Sequence, residues 1–413
     1  MRFLYTLAIK IYGLCIRLAV PFSHKASLWM HGRKGLFNDL AQHCNGEERW
    51  VWFHCASLGE FEQGRPVMEA YKKRHREHKI LLTFFSPSGY EVRKDYSGAD
   101  HVCYLPLDTP TNARRFLDTL QPLMAVFIKY EFWMNFFEAT HKRKIPLYVI
   151  SAVFRPEQHF FHWHGRWQRR IFNYCTRLFV QDELSADLLA TLGCTQVTLS
   201  GDTRFDRVYE IAGNPEQNPV AEAFAGDKRV VIAGSTWPKD EDILIRWIKE
   251  DESGLKYIIA PHNVDKSRIA GLMKALPAGS RLLSGLDVRE SPETQVLVVD
   301  SVGQLAHLYR YGHIAYVGGG FGAGIHNILE PAAFGLPVLF GPAFEKFREA
   351  YEMIERGAAF AFTDYKMFNR RMQFLLRDEM ILRMASEMSR SYVREKRGAV
   401  QSIIAGLHTG KSA

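Results

Sequence analysis

Ile314-Ala-Tyr-Val-Gly-Gly-Gly-Phe-Gly-Ala-Gly-Ile-His-Asn-Ile-Leu-Glu-Pro331 is a four-residue apolar run that enters five glycines in seven residues and leaves in a helical pattern. Glycine at that density lets backbone pass close to a ligand, and amides at the start of the next helix would bind a phosphate. A turn that only reverses the chain needs one or two glycines. With Ala323 and Ile325 in place of glycines the spacing departs from G-x-G-x-x-G, which disfavours a dinucleotide fold. Glu330 follows Asn327 by three residues and His326 by four, so all three are expected on one helix face. From there the carboxylate would accept hydrogen bonds from ribose hydroxyls.

Outward from this stretch, short runs rich in β-branched and aromatic residues alternate with longer segments of helical periodicity. The second half supplies VVIAGS, YIIAPH, VLVVD, IAYVGGG, PVLFGP and AFAF; the first, from Trp50, supplies WVWFHCAS, ILLTFF, MAVFIKY, LYVISAV, LFVQD and VTLSGD. Near-continuous apolar strands separated by helices indicate parallel sheets covered on both faces. The expected fold class is α/β: two doubly wound, Rossmann-like domains facing a cleft, with substrates at the carboxyl ends of the strands. The polar, turn-rich segment containing EIAGNPEQNP places a linker at 209–227, between domains at 23–208 and 228–413. The last helices, from about Asn369, are candidates to cross back and brace the first domain.

At roughly 100–200 residues per domain, 413 residues suffice for two. A 47% hydrophobic content without low-complexity tracts excludes a disordered chain. Six scattered cysteines without a C-x-x-C pair exclude a zinc knuckle or redox motif and read as buried thiols in a reducing compartment. The 53 Lys and Arg against 45 Asp and Glu predict an anionic partner: a phosphate, a nucleic acid or an acidic lipid surface. Dispersed cations and no RNA-stacking motif argue against nucleic acid.

Residues 1–22, MRFLYTLAIKIYGLCIRLAVPF, are apolar except along one helical stripe of Thr6, Lys10, Gly13 and Arg17. The two cations interrupt any signal-peptide core. A spanning helix would carry both through hydrocarbon at about 2.5–3.5 kcal/mol each. The expectation is an amphipathic helix lying on the membrane with Lys10 and Arg17 at the headgroups; a tilted span and a helix packed on the domain are the alternatives. Lys25, Arg33 and Lys34 continue the basic character toward an anionic leaflet.

Two further strand ends carry more polar content than a turn needs. In Trp50–Gly64 a strand runs into Ser57, Gly59 and Glu60 just before a helix. Glu60 can complement the helix dipole, or act as a general base tuned by desolvation. In Val230–Glu241 a strand ends in Gly234, Ser235 and Thr236 before acidic residues that open a helix. Capping and phosphate binding explain those hydroxyls equally well.

Seven short segments, in order, resemble the 3-deoxy-D-manno-octulosonic acid (Kdo) transferases that build the lipopolysaccharide inner core. They are His54-Cys-Ala-Ser-Leu-Gly-Glu60, Thr83 with Ser86-Pro-Ser-Gly89, Glu131-Phe-Trp-Met-Asn135, Gly201-Asp-Thr-Arg-Phe-Asp206, Ser235-Thr236, Asp300-Ser-Val-Gly-Gln-Leu305, and Gly318-Gly319 through His326-Asn-Ile-Leu-Glu-Pro-Ala332. The resemblance implies an inverting, metal-free glycosyltransferase of the GT-B type, with CMP-Kdo as donor and a lipid A precursor (lipid IVA) as acceptor at the cytoplasmic face of the inner membrane. It implies Glu60 as the catalytic base, and Ser57, Gly59, Ser86, Ser88 and Glu131 on the acceptor side. It assigns Arg204, Ser235, Thr236, His262, Gly318, Gly319, Gly320, His326, Asn327 and Glu330 to the donor. Trp237 stands where the family has histidine, and Ala260-Pro-His-Asn263 lacks the arginine of P-R-H-P, for which His262 or Arg268 would substitute. Competing readings are a GT-B transferase or epimerase using another nucleotide sugar, and a catalytically silent glycolipid-binding protein on the same fold.

Overall fold

β1 (Trp50–Cys55) shows how the sequence builds a sheet that is covered twice. Trp50 and Trp52 enter one core with Phe116 and Leu120, whereas Val51, Phe53 and Cys55 enter another with Phe61, Val67 and Tyr71. Successive side chains point to opposite faces, so a strand buried on both must be apolar throughout. In this computed structural model, which describes residues 2–44 and 48–408, β1 lies inside a seven-stranded parallel sheet of order β3-β2-β1-β4-β5-β6-β7. Its other strands are β2 (Lys79–Phe84), β3 (His101–Tyr104), β4 (Met124–Ile128), β5 (Leu147–Ala152), β6 (Arg177–Val180) and β7 (Val197–Leu199). A second seven-stranded parallel sheet has the order β10-β11-β9-β8-β12-β13-β14. It comprises β8 (Val230–Thr236), β9 (Lys256–Pro261), β10 (Arg281–Leu282), β11 (Val296–Val298), β12 (Ile314–Val317), β13 (Val338–Phe340) and β14 (Ala359–Ala361).

The chain forms two compact units: Met1–Asp206 with Arg397–Ala413, and Arg207–Lys396. The expected linker at 209–227 is instead mostly helical, with helices Thr203–Gly213 and Pro219–Ala225. Asn218 Oδ1 accepts from Ala221 N at 3.0 Å and Pro219 opens the turn, so the Asn-Pro pair that looked like a loop is a helix start. Helices Tyr365–Arg377 and Glu379–Lys396 stay in the second unit; the chain joins the first only from Arg397. Of the last helices expected to cross back, only Ala399–Gly406 does so. Gly398, at φ 118°, turns the chain, and the Asp206 carboxylate accepts from Gly398 N and Val400 N at 2.8 and 3.3 Å. Ile403 and Leu407 then complete the core that holds Val51 and Phe179.

Helix Arg2–Ala19 belongs to the first unit and buries none of its own residues fully. Tyr5 OH donates to Asp108 Oδ2 at 2.6 Å, Arg2 Nη1 to Glu138 Oε1 at 2.8 Å, and Tyr12 stacks on Phe85. Gly13 lies so close to Leu107 that a Cβ would sit 2.6 Å from its Cδ1. Thr6 and Gly13, half of the expected headgroup stripe, thus face the protein: small residues permit close docking. Phe3, Leu4, Leu7, Ile11, Leu14 and Leu18 are exposed. Among the described residues no helix is long and apolar enough to cross a membrane. Arg33 is not available to lipid either, since its guanidinium lies 3.7 Å from the Trp29 ring centroid and donates to the carbonyls of Trp29, Phe85 and Leu105.

Candidate active site

In a doubly wound sheet a ligand crevice opens where two neighbouring strands send their connections in opposite directions. Those strands are β1 and β4 in the first sheet, β8 and β12 in the second. The loops that follow them carry Ser57 and Glu60, Glu131, Ser235 and Thr236, and the glycines from 318. Topology thus selects the three segments marked by their chemistry and the Glu131 segment marked by the resemblance.

At the first switch point Glu60 is 9% exposed in the opening turn of helix Leu58–Arg74. Its Oε2 accepts from Ala56 N at 2.5 Å. Burial, and then the Glu131 carboxylate, push its carboxyl up to about 8, against the Ala56 bond and the Lys129 cation. Such a group holds its proton more tightly than an ordinary carboxylate, which suits a base working near neutral pH. The bond to Ala56 N also gives substance to the helix-start reading, so one carboxylate serves both ends. Glu131 Oε2 accepts from Trp133 Nε1 at 2.8 Å and lies 3.6 Å from His54 Nε2. Thr83 Oγ1 accepts from Trp52 Nε1 at 2.8 Å and reaches Phe53 O at 3.3 Å, so His54 Nδ1, 2.9 Å away, is the donor toward it. His54 therefore presents Nε2 to Trp133 and Glu131.

The remaining first-unit residues frame this pair. Ser86 N donates to Ala56 O at 2.8 Å, and the Ser86 and Ser88 hydroxyls lie 3.0 Å apart at a helix start. Ser57 is an N-cap without a side-chain cap bond. A Cβ on Gly59 would meet nothing within 4 Å, so packing does not demand glycine there. Arg204, expected on the donor side, lies in the first unit, where it bonds Asp202 through Nε at 2.7 Å and depresses Lys129 after burial does. Lys129, at φ 62°, was not singled out from sequence as a site residue; nothing about a lone lysine after a strand announces such a backbone.

At the second switch point the glycines serve the fold first. A Cβ on Gly318 would sit 2.4 Å from Ser235 O, one on Gly319 2.4 Å from Gly324 O, and one on Gly320 2.6 Å from Gly341 backbone. Gly318 N donates to Gly234 O, Gly319 N to Asp240 Oδ2, and His326 N to Gly318 O. These three amides are committed internally. His326 and Asn327 also precede helix Leu329–Ala333 instead of sharing its face with Glu330. Asn327 sits just before the helix N-cap, Ile328; its Oδ1 accepts from Leu329 N at 3.1 Å and its Nδ2 donates to Glu330 Oε1 at 2.9 Å.

Asp240, passed over as a helix-opening acid, is the anchor of this loop; it also accepts from Tyr316 OH at 2.8 Å and Trp237 N at 2.9 Å. Ser235 sits at φ 53° where the β8–β9 register shifts, and Thr236 Oγ1 donates to Glu241 Oε1 at 2.8 Å. Arg268 pairs with the other oxygen of Glu241. Trp237 stacks on His262, His262 stacks on His326, and Trp237 Nε1 donates to His326 Nε2 at 2.9 Å. Burial, and then His262, lower the His326 pKa. The tryptophan that departs from the family pattern thus organises both histidines.

The profile of the family described as 3-Deoxy-D-manno-octulosonic-acid transferase (kdotransferase) matches residues 30–207. The 3-deoxy-D-manno-octulosonic acid transferase of Aquifex aeolicus is 30% identical over 77% of this chain and 83% of that protein. The one from Haemophilus influenzae is 24% identical over 86% and 85%. Among solved structures, a UDP-GlcNAc 2-epimerase from Neisseria meningitidis superposes with a TM-score of 0.60 at 16% identity, covering 86% of this chain and 98% of that one. MurG from Acinetobacter baumannii gives 0.52 at 12%, covering 87% and 98%. At those identities the likeness concerns the fold alone, two Rossmann-like α/β domains of the GT-B type. The chain belongs to the 3-deoxy-D-manno-octulosonic acid transferase family and is a glycosyltransferase.

Proposed function

We propose that the protein moves Kdo from CMP-Kdo to a lipid A precursor, lipid IVA, with inversion, during lipopolysaccharide biosynthesis. The observation that carries this reading is Glu60, a desolvated carboxyl at the β1/β4 switch point whose proton affinity is raised toward neutrality. Glu60 takes the proton of the acceptor hydroxyl, the freed oxygen bonds to the anomeric carbon of Kdo, and the bond from that carbon to the CMP phosphate oxygen breaks. CMP leaves with the electron pair. The second unit holds the donor through Ser235, Thr236, His262, His326, Asn327 and Glu330, with the Trp237, His262 and His326 rings as a stacking surface. His262 or Arg268, the latter paired with Glu241, takes the role of the family's missing arginine. Charge on the leaving phosphate is met by the hydroxyl and side-chain N–H donors of this unit, without a metal.

The acceptor is a lipid, and two features of the first unit support that. A pocket of about 190 Å³ adjoins the Glu131 loop; Tyr5, Tyr130, Phe132, Met134, Phe160 and Ile171 line it together with the polar Gln158, His159 and Gln168. The exposed apolar stripe of helix Arg2–Ala19, flanked by Lys10 and Arg17, suits an anionic membrane surface at the cytoplasmic face of the inner membrane. The test is incubation with lipid IVA and CMP-Kdo regenerated in situ, with EDTA present, read by mass spectrometry. Product heavier by one or more Kdo masses is expected. Its absence with a protein that binds CMP would redirect the reading to another sugar donor.

A further inference from the structure

We propose that His75, Glu77 and His78 bind a divalent late transition-metal ion such as zinc. These residues form the turn between helix Leu58–Arg74 and β2, at the amino end of that strand. One ligand atom of each lies within 4.8 Å of the others. Glu77 Oε1 is 3.4 Å from His78 Nε2 and 3.8 Å from His75 Nδ1. Both distances are long for a hydrogen bond. The 3.4 Å separation is that of ligands around a tetrahedral ion with bonds of about 2.1 Å; the other separations are wider, up to 4.8 Å.

His78 supplies the independent observation. Its ring is buried, with the residue 2% exposed, and among the described residues Nε2 has no hydrogen-bond partner. Its other nitrogen, Nδ1, lies 2.7 Å from Tyr71 OH. A metal-ligating histidine is held in this way: one ring N–H bonds an oxygen, which turns the other lone pair toward the ion. An unpaired buried nitrogen is otherwise costly. Two imidazoles and one carboxylate suit zinc, cobalt or nickel better than magnesium or calcium. The transfer groups lie at the carboxyl ends of the strands and this turn at the amino end, so the ion has a structural role: it clips the far end of the Glu60 helix to β2.

The test uses the full-length protein, stripped with EDTA and titrated with zinc by calorimetry and with cobalt by visible absorption. One tetrahedral ion per chain is expected, with a raised Tm on loading. His75→Ala and Glu77→Gln, both at the surface, should each weaken binding at least tenfold, and Tyr71→Phe about 10–100-fold. Cys15→Ser and His43→Ala should bind as the parent does, which separates this site from the exposed thiol and from the Asp39, His43 and His101 group. Failure to bind an ion, binding unchanged in a His75→Ala/Glu77→Gln double variant, or binding lost in His43→Ala would overturn the proposal.

Discussion

At the residue scale, Glu60 couples function to stability. Its folded carboxyl holds a proton up to about 8, well above the ordinary value of 4.5. Between those values the native state binds more protons than the unfolded one, so stability falls as pH rises through the window. Glu60→Gln keeps an acceptor for Ala56 N but carries no charge. Transfer should fall by 10²-fold or more, while the Tm gains on the parent at pH 9 and not at pH 5. Retained turnover, or a Tm difference independent of pH, would count against the base. The glycines divide in the same way. Gly59→Ala meets open space and should leave the Tm unchanged or higher, yet reduce transfer if the acceptor passes over it as proposed. Gly320→Ala would drive a Cβ into Gly341 and should lower stability by about 1–3 kcal/mol in a denaturant titration. Only the structure separates these two glycines, since the neighbours that decide them lie far along the chain.

At the element scale, helix Arg2–Ala19 is tethered by few bonds, and Tyr5 to Asp108 is central among them. The Asp108 carboxylate also accepts from Asn135 N and Phe136 N, at 3.1 and 2.9 Å, so it ties this helix to the one that follows the Glu131 loop. Tyr5→Phe removes a bond to an ionisable group, a loss of about 1–3 kcal/mol. Amide exchange across residues 2–19 should accelerate while the β-sheet amides remain protected; uniform exchange rates would show that the helix is held otherwise. The amphipathic character of this segment was legible from its period. Which side faces the protein was not, because the docking stripe is chosen by small residues that fit Leu107 and not by polarity.

At the scale of the whole molecule, the helix and its apolar stripe should matter when the acceptor sits in a bilayer. Deleting residues 1–22 should reduce transfer to acceptor in anionic vesicles more than transfer to acceptor in detergent. Equal losses would mean that the segment serves folding alone. The deletion also removes Tyr5, which bonds Asp108 and lines the pocket beside the Glu131 loop, so a smaller loss is expected in detergent as well.

The sequence by itself determined two parallel sheets, because strands buried on both faces must be apolar at every position, and that pattern is local. It also pointed to the loops after β1, β8 and β12 through their polar content at strand ends, and to the Glu131 loop after β4 through the family resemblance. Tertiary structure alone decided how those loops work. The Gly318 amide turned inward, Asp240 became the anchor of the glycine loop, Trp237 joined two histidines into one stack, and Arg204 fell in the first unit. Each outcome depends on partners that are distant in sequence, where hydrogen-bond satisfaction and close packing settle what composition and spacing leave open.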